Sequence, residues 1–222
     1  MNNTFSCKFQ ATSQPDDRAK EIEGLGTGKL EFWFEFASTY SYPAAMRIEA
    51  LAAAHEVEVI WRPFLLAPIF AEVGWRDSPF NIYPAKGRYM WRDLERVCRS
   101  AGIAFKRPSV FPRVSLHAAR IACHFEGESW VPGFVQAVYR ANFEHDRDTR
   151  ELETIRDCLR SIGLDPGTVE EGAFDEPAKL QLRRQTERAR EIGIFGAPSF
   201  VTDDELFWGN DRLEDAVRLA AR

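Results

Sequence analysis

Apolar and polar positions alternate early in the chain and again near its end. Between Leu30 and Phe36 every second residue is Leu or Phe, which is the period of a half-buried strand. A short apolar run over 57–61 predicts a second strand, and the Ala-rich segment 44–55 between them predicts a helix. Near the end, residues 197–201 and 205–208 predict a β-hairpin.

The middle of the chain has the period of helices instead. Met90, Leu94, Val97 and Ala101 fall on one face of a helix that begins near Lys86. Further apolar stripes follow, and we find no strand pattern between about Pro63 and Gly193. A last helix is predicted to begin at residues 209–211.

The order is therefore β-α-β, a helical block, and β-β-α. A β-α-β crossover implies parallel strands. We interpret the outer parts, residues 30–64 and 193–222, as the halves of an α/β thioredoxin-like fold. Residues 65–192 are then a large all-helical insertion. Residues 1–29 show no clear period and are interpreted as a disordered leader or a misassigned start.

Composition narrows the class of protein. The 222 residues carry 29 Lys and Arg and 34 Asp and Glu, a net charge of −5, and 45% are hydrophobic. Such a chain lacks the global basic field that holds nucleic acid or an anionic membrane. It also contains no apolar run of the roughly 18 residues that span a bilayer. We therefore expect a cytoplasmic protein with neither nucleic acid nor membrane as partner.

The cysteines and histidines give no redox or metal motif. No two of the four cysteines lie within four residues of each other, which excludes a Cys-x-x-Cys pair and a zinc knuckle. His117 and His124 are seven residues apart, without an acidic or Cys partner at metal spacing, and are expected to be structural. We predict no metal site.

Candidate chemistry begins where the first strand gives way to the first helix, at Ser38-Thr39-Tyr40-Ser41. A ligand site at strand ends and a helix N-terminus that favours anions coincide there. A redox enzyme of this fold would have cysteines at positions 38 and 41, and both are serines. Ser38 can donate a hydrogen bond to a thiolate from another molecule, or it can simply cap the helix.

Three further segments could complete a site. Pro198 fixes the backbone at a strand entrance, and Ala197 before it could pair with an extended peptide ligand. Asp211 could hold an ammonium group such as the α-amine of a γ-glutamyl moiety. The simpler alternative for this segment is that Asn210 caps the last helix. Lys86 opposes the dipole at its helix start, which favours an anionic ligand there.

Several segments together resemble a known family, the 2-hydroxychromene-2-carboxylate isomerases. These group with kappa-class glutathione transferases and the wider DsbA-like proteins. The resemblance covers about residues 30–222. It is carried by F-W-F-E-F-A-S-T-Y-S-Y, R-P-F-L-L-A-P-I-F, S-P-F-N-I-Y-P-A-K-G-R-Y-M, G-I-F-G-A-P-S-F and F-W-G-N-D-R-L. Family members usually have Pro where this chain has Thr39, and Asp where it has Glu35.

The resemblance implies a glutathione cofactor and assigns roles around it. Ser38 stabilises the glutathione thiolate, and Ala197, before a cis-Pro198, pairs with the glutathione backbone. The remaining assignments are Asn210 and Asp211 for the γ-glutamyl end, Lys86 for the glycyl carboxylate or the substrate, and Asn81 as the nearest match to a family Asn.

The implied activity is isomerisation of 2-hydroxychromene-2-carboxylate, or of a similar small aromatic carboxylate, by reversible thiolate addition to a conjugated double bond. The resemblance also implies a homodimer. The alternatives are a kappa-type glutathione transferase acting on electrophiles, and a non-catalytic thioredoxin-like binding protein. A disulfide oxidoreductase is opposed by the missing cysteines.

Overall fold

The computed structural model describes residues 28–222. The interpretation of 1–29 as a leader lies outside the described residues, except that Gly28 and Lys29 already belong to the first strand. The four strands are β1 (Gly28–Phe34), β2 (Val57–Pro63), β3 (Ser199–Thr202) and β4 (Glu205–Trp208).

The strands form one sheet in the order β2-β1-β3-β4. β1 and β2 are parallel, with Gly28 opposite Val57 and Phe34 opposite Pro63, as the β-α-β order predicts. β3 is antiparallel to both β1 and β4. No strand occurs in residues 64–198, which agrees with the helical pattern of the sequence.

Successive side chains of β1 point to opposite faces of the sheet, and both faces are buried. Phe32 and Phe34 pack on one side with the helix after β1 and the C-terminal helix, and Phe32 stacks on Phe200 of β3 at 5.5 Å between ring centroids. Trp33 points to the other side, where it meets Phe64 and Ile194. The strand is thus covered on both faces, which explains its unusually apolar sequence.

The helices cover these faces and fill the long connection between β2 and β3. They are α1 (Ser41–Ala53), α2 (Leu66–Glu72), α3 (Pro79–Ile82), α4 (Pro84–Ser100), α5 (Leu116–His124), α6 (Val131–Phe143), α7 (Leu152–Ser161), α8 (Pro166–Ala173), α9 (Glu176–Ile192) and α10 (Leu213–Ala220). None of these helices, all between residues 28 and 222, has the length and apolarity to span a membrane.

A side-chain cap and a glycine set the two ends of α9. Its N-cap Asp175 accepts a hydrogen bond from the Ala178 amide, and Gly193 ends the helix with φ of 89°, a left-handed conformation that suits glycine. The chain then turns back into the sheet through residues 194–198.

Gly28, the first residue of β1, lies against the end of α10. A Cβ atom at this position would lie 1.7 Å from the Ala220 carbonyl oxygen at the end of α10. We expect Gly28→Ala to lower the free energy of unfolding by about 1–3 kcal/mol in urea denaturation, because the backbones must move apart. Lys29→Ala, at the exposed neighbouring position, is the control, and equal stability of the two variants would contradict the close approach.

Candidate active site

Ser38 lies in the turn between β1 and α1, and its hydroxyl group makes two hydrogen bonds. It accepts from the Ser41 amide at 3.3 Å and donates to the Ala197 carbonyl oxygen at 2.8 Å. Its own amide donates to the Glu35 carbonyl oxygen at 2.9 Å. Ser38 therefore supports the helix start and also bridges to a segment 159 residues away.

The Ala197–Pro198 segment is the second part of the site. The peptide bond between them is cis, as the resemblance implies. The Ala197 amide has no hydrogen-bond acceptor among residues 28–222, whereas its carbonyl accepts from Ser38. The Pro198 carbonyl accepts from the Gly209 amide at 3.0 Å. This hydrogen bond joins the segment to the one that carries Asn210 and Asp211.

Asn210 and Asp211 lie in a short 3-10 helix, Asn210–Arg212, ahead of α10. The expectation that Asn210 caps the last helix is wrong, because its side chain makes no capping hydrogen bond. Asn210 is buried, and its Oδ1 atom has no hydrogen-bond partner among the described residues. Asp211 is exposed, with 74% of its side-chain surface accessible.

These two residues line an open cleft of about 510 Å³. Arg47 from α1 and Glu214 from α10 also line it and form an ion pair. The other lining residues are Val97, Ser100 and Ala101 at the end of α4. Sequence reasoning missed Arg47 and Glu214, since each is one charged helical residue among many.

Tyr40 connects the Ser38 turn to α4. Its hydroxyl group donates to Asp93 Oδ2 at 2.8 Å. Burial, this hydrogen bond and the nearby negative charges of Asp93 and Asp211 raise the pKa of Tyr40 above its usual range. Tyr40 therefore stays protonated and holds α4 beside the site.

Lys86 lies in the first turn of α4 and is exposed, with Nζ 4.9 Å from the centroid of the Tyr83 ring. No carboxylate among residues 28–222 pairs with it, so its charge is available to a ligand. Asn81 is different, because its side-chain amide already donates to the Asp77 carboxylate and the Phe111 carbonyl. Asn81 thus joins two loops, which leaves only its own oxygen for a ligand.

A larger cavity of about 560 Å³ lies along the edge strand β2, but none of the predicted site residues lines it. Arg62 and Glu126 in its lining pair with each other, and Glu49 accepts from the Trp61 indole. Size alone therefore does not identify the site.

Glu35 is a buried carboxyl group at the base of the turn, with 5% of the residue exposed. Its Oε2 atom accepts from the Ala37 amide at 3.0 Å. Burial raises the pKa of Glu35 from 4.5 to about 8, and the amide hydrogen bond lowers it by a smaller amount. At neutral pH the group is therefore mainly uncharged.

The described cysteines are far from reactive. Cys98, Cys123 and Cys158 are free and buried in α4, α5 and α7. Burial raises the pKa of Cys98 and of Cys123 to about 12, and that of Cys158 to about 11. A thiol in this state is a poor nucleophile, so these sulfurs cannot replace the missing ones at the turn.

Comparison with known proteins identifies the fold. The profile of the DsbA-like thioredoxin domain matches residues 29–219. The chain belongs to this family. The predicted thioredoxin-like fold with a helical insertion is thereby confirmed, whereas the insertion boundaries at 65 and 192 stay a prediction.

Individual relatives agree with the resemblance. A 2-hydroxychromene-2-carboxylate isomerase of Sphingobium xenophagum is 29% identical over 189 residues, which cover 85% of this chain and 95% of the relative. A solved structure of such an isomerase superimposes with a TM-score of 0.74 at 25% identity, covering 83% of this chain and 90% of the other. Glutathione S-transferase kappa 2 of Caenorhabditis elegans is 22% identical over 206 residues, covering 86% of this chain and 91% of the relative.

The buried carboxyl group of this DsbA-like chain predicts a pH-dependent stability. Between pH 4.5 and about 8 the unfolded chain loses the Glu35 proton while the folded chain keeps it. The contribution of Glu35 to stability must then fall as pH rises through this range. We expect the wild type to lose up to roughly 5 kcal/mol relative to Glu35→Gln across it, measured by urea unfolding at several pH values.

The matched control is Glu205→Gln, at an exposed position in β4. Its stability should follow the wild type at every pH. A Glu35→Gln curve parallel to the wild-type curve would show that Glu35 ionises normally in the folded chain.

Proposed function

We propose that this protein is a glutathione-dependent isomerase of a small aromatic carboxylate. The reaction is of the type that converts 2-hydroxychromene-2-carboxylate to trans-o-hydroxybenzylidenepyruvate. The observation that carries the proposal is the Ser38 hydroxyl group, a donor at the start of α1 in a turn without cysteine, hydrogen-bonded to the Ala197 carbonyl. The names of relatives at 29% and 27% identity support the reaction class.

The cleft lined by Asn210 and Asp211 suits a γ-glutamyl group, which carries one ammonium and one carboxylate. Asp211 is an exposed carboxylate for the ammonium, and Asn210 contributes a buried oxygen without a partner among the described residues. Arg47, held by Glu214, is a cation for the carboxylate. Charges of both signs in one cleft favour a zwitterionic end over a simple anion.

The Ala197 backbone suits the peptide part of glutathione. Its amide is unpaired among the described residues and its carbonyl is bonded only to the Ser38 hydroxyl group. An extended peptide can bond to both groups as a strand bonds to a sheet edge. When the peptide bonds to the Ala197 carbonyl, the Ser38 O–H group no longer donates to that oxygen. It can then donate a hydrogen bond to the sulfur of the bound peptide.

A hydrogen bond from the Ser38 hydroxyl group contributes enough free energy to favour the thiolate form of a bound thiol. A free thiol has a pKa of about 8.5 and is only ~3% ionised at pH 7. Lowering that pKa by about two units takes roughly 2.7 kcal/mol. A hydroxyl hydrogen bond to a charged group contributes about 1.5–3 kcal/mol, and the N-terminus of α1 adds to it.

Bound glutathione supplies a nucleophilic sulfur that adds to a conjugated double bond and leaves again after the bond has rotated. The chain contributes the groups around it. Ser38 holds the negative charge, Ala197 and the Arg47 cleft fix the peptide, and Lys86 offers its free ammonium group to a substrate carboxylate. We expect these roles to be separable by substitution.

A kappa-type glutathione transferase is the second candidate, and the relative in Caenorhabditis elegans favours it. The two functions share the glutathione site and differ in the fate of the adduct, which the isomerase releases and the transferase keeps. A homodimer stays a prediction. The cytoplasm also stays a prediction, in keeping with free thiols at Cys98, Cys123 and Cys158.

The deciding experiment offers the protein 2-hydroxychromene-2-carboxylate and a generic aryl halide, each with and without glutathione. We expect glutathione-dependent isomerisation of the chromene. Turnover of the aryl halide alone would favour the transferase, and turnover of neither would reject both enzyme functions.

Ser38→Ala tests the thiolate site. We expect the pKa of bound glutathione to rise by about 1–2, because the charged sulfur loses one hydrogen bond. The pKa is followed by the ultraviolet absorbance of the thiolate. Ser129→Ala, at an exposed loop position outside the site, is the control. An unchanged titration in Ser38→Ala would remove Ser38 from the mechanism.

Asp211→Asn tests the γ-glutamyl cleft. The substitution keeps the size of the side chain and removes its charge, so the Kd of glutathione should rise about 10–100-fold by calorimetry. Asp204→Asn is matched to it, since Asp204 is exposed in the turn between β3 and β4, outside the cleft. Equal affinities of the two variants would argue against the role of Asp211.

A further inference from the structure

Glu35 holds the Ser38 turn at two points. Its side chain accepts from the Ala37 amide at 3.0 Å, and its backbone carbonyl accepts from the Ser38 amide at 2.9 Å. The same carbonyl accepts from the Tyr139 hydroxyl group of α6 at 3.0 Å. The residue that precedes the catalytic turn is therefore fixed to the turn on one side and to the helical block on the other.

Within residues 28–222, no cation forms an ion pair with the Glu35 carboxyl group, and the causes that shift its pKa are burial and the Ala37 amide. Tyr139 of α6 is close enough for the charge of Glu35 to raise the pKa of its hydroxyl group, whereas the pKa of Tyr42 in α1 responds to Cys98, Glu144 and Arg140. Since burial also raises the pKa of Tyr139, both facing groups are neutral around pH 7.

A neutral carboxyl group matters here because of the charge that Ser38 is proposed to bind. A negative sulfur above the turn is stabilised by the Ser38 hydroxyl group and by the start of α1. A buried carboxylate three residues earlier would oppose this charge with little screening.

We propose that Glu35 is a positioning residue for the thiolate site, whose uncharged carboxyl group holds the Glu35–Ser38 turn and whose ionisation repels the bound thiolate. This inference rests on the proposed glutathione site and adds to it a group that does not touch the ligand. It predicts a loss of thiolate binding at alkaline pH that comes from the protein and not from glutathione.

The test compares wild type with Glu35→Gln, in which an amide keeps an acceptor for the Ala37 amide and cannot ionise. Calorimetry measures the Kd of glutathione from pH 7 to 9. Over this range we expect the Kd of the wild type, relative to the variant, to rise up to about tenfold, as one proton released near pH 8 requires. S-methylglutathione, which has no thiolate, is the matched ligand, and its relative Kd should stay constant.

The outcomes separate this inference from the function on which it rests. Absence of glutathione binding by the wild type rejects the proposed function and this inference together. Binding with the same pH dependence in wild type and Glu35→Gln rejects the role of Glu35 alone. A pH effect equal for glutathione and S-methylglutathione also overturns it, because the turn would then open instead of repelling a charge.

Glu35→Ala gives a second measurement of positioning. It removes the acceptor of the Ala37 amide, so the pKa of bound glutathione should rise already at neutral pH, and Glu35→Gln should restore it. If Glu35→Ala does not fold, the comparison of wild type with Glu35→Gln still decides the question. A wild-type thiolate titration in a folded Glu35→Ala protein would contradict the positioning role.

Discussion

The antiparallel pairing of β1 with β3 brings together the two chain segments on which the rest of the site is built. Trp33 is opposite Ser199 in this ladder, so the chain that leaves β1 and the chain that enters β3 meet at the same end of the sheet. The Ser38 turn and the Ala197–Pro198 segment are brought into hydrogen-bond contact as a result. The stacked rings of Phe32 and Phe200 fix this register, because a slip of β3 by one residue would turn Phe200 to the opposite face of the sheet from Phe32.

Much of this arrangement could be predicted from the sequence, because its elements have strong local patterns. The aromatic alternation of β1 and the Ala-Pro before β3 both mark the chain ends that converge on Ser38. The prediction that Asn210 caps the last helix was wrong for a local reason. A 3-10 turn that begins after Gly209 places the Asn210 side chain inside the protein.

Other contacts could not be predicted, because they join partly buried residues that are distant in sequence. The ion pair of Arg47 with Glu214 spans 167 positions, and the Tyr40–Asp93 hydrogen bond spans 53. Each partner is one of many similar side chains on a helix surface, so no pattern distinguishes it. The Asn81 amide is a similar case, since its acceptor at Phe111 is set by loop packing and not by spacing.

The burial of Cys98, Cys123 and Cys158 has a consequence for the resistance of such a protein to oxidation. An enzyme with its own catalytic sulfur is inactivated when that atom is oxidised, and it then needs repair. An enzyme that borrows its sulfur releases the damaged molecule and binds a fresh one. Its rate would then depend on the supply of reduced glutathione, while the described cysteines stay shielded from mixed disulfides.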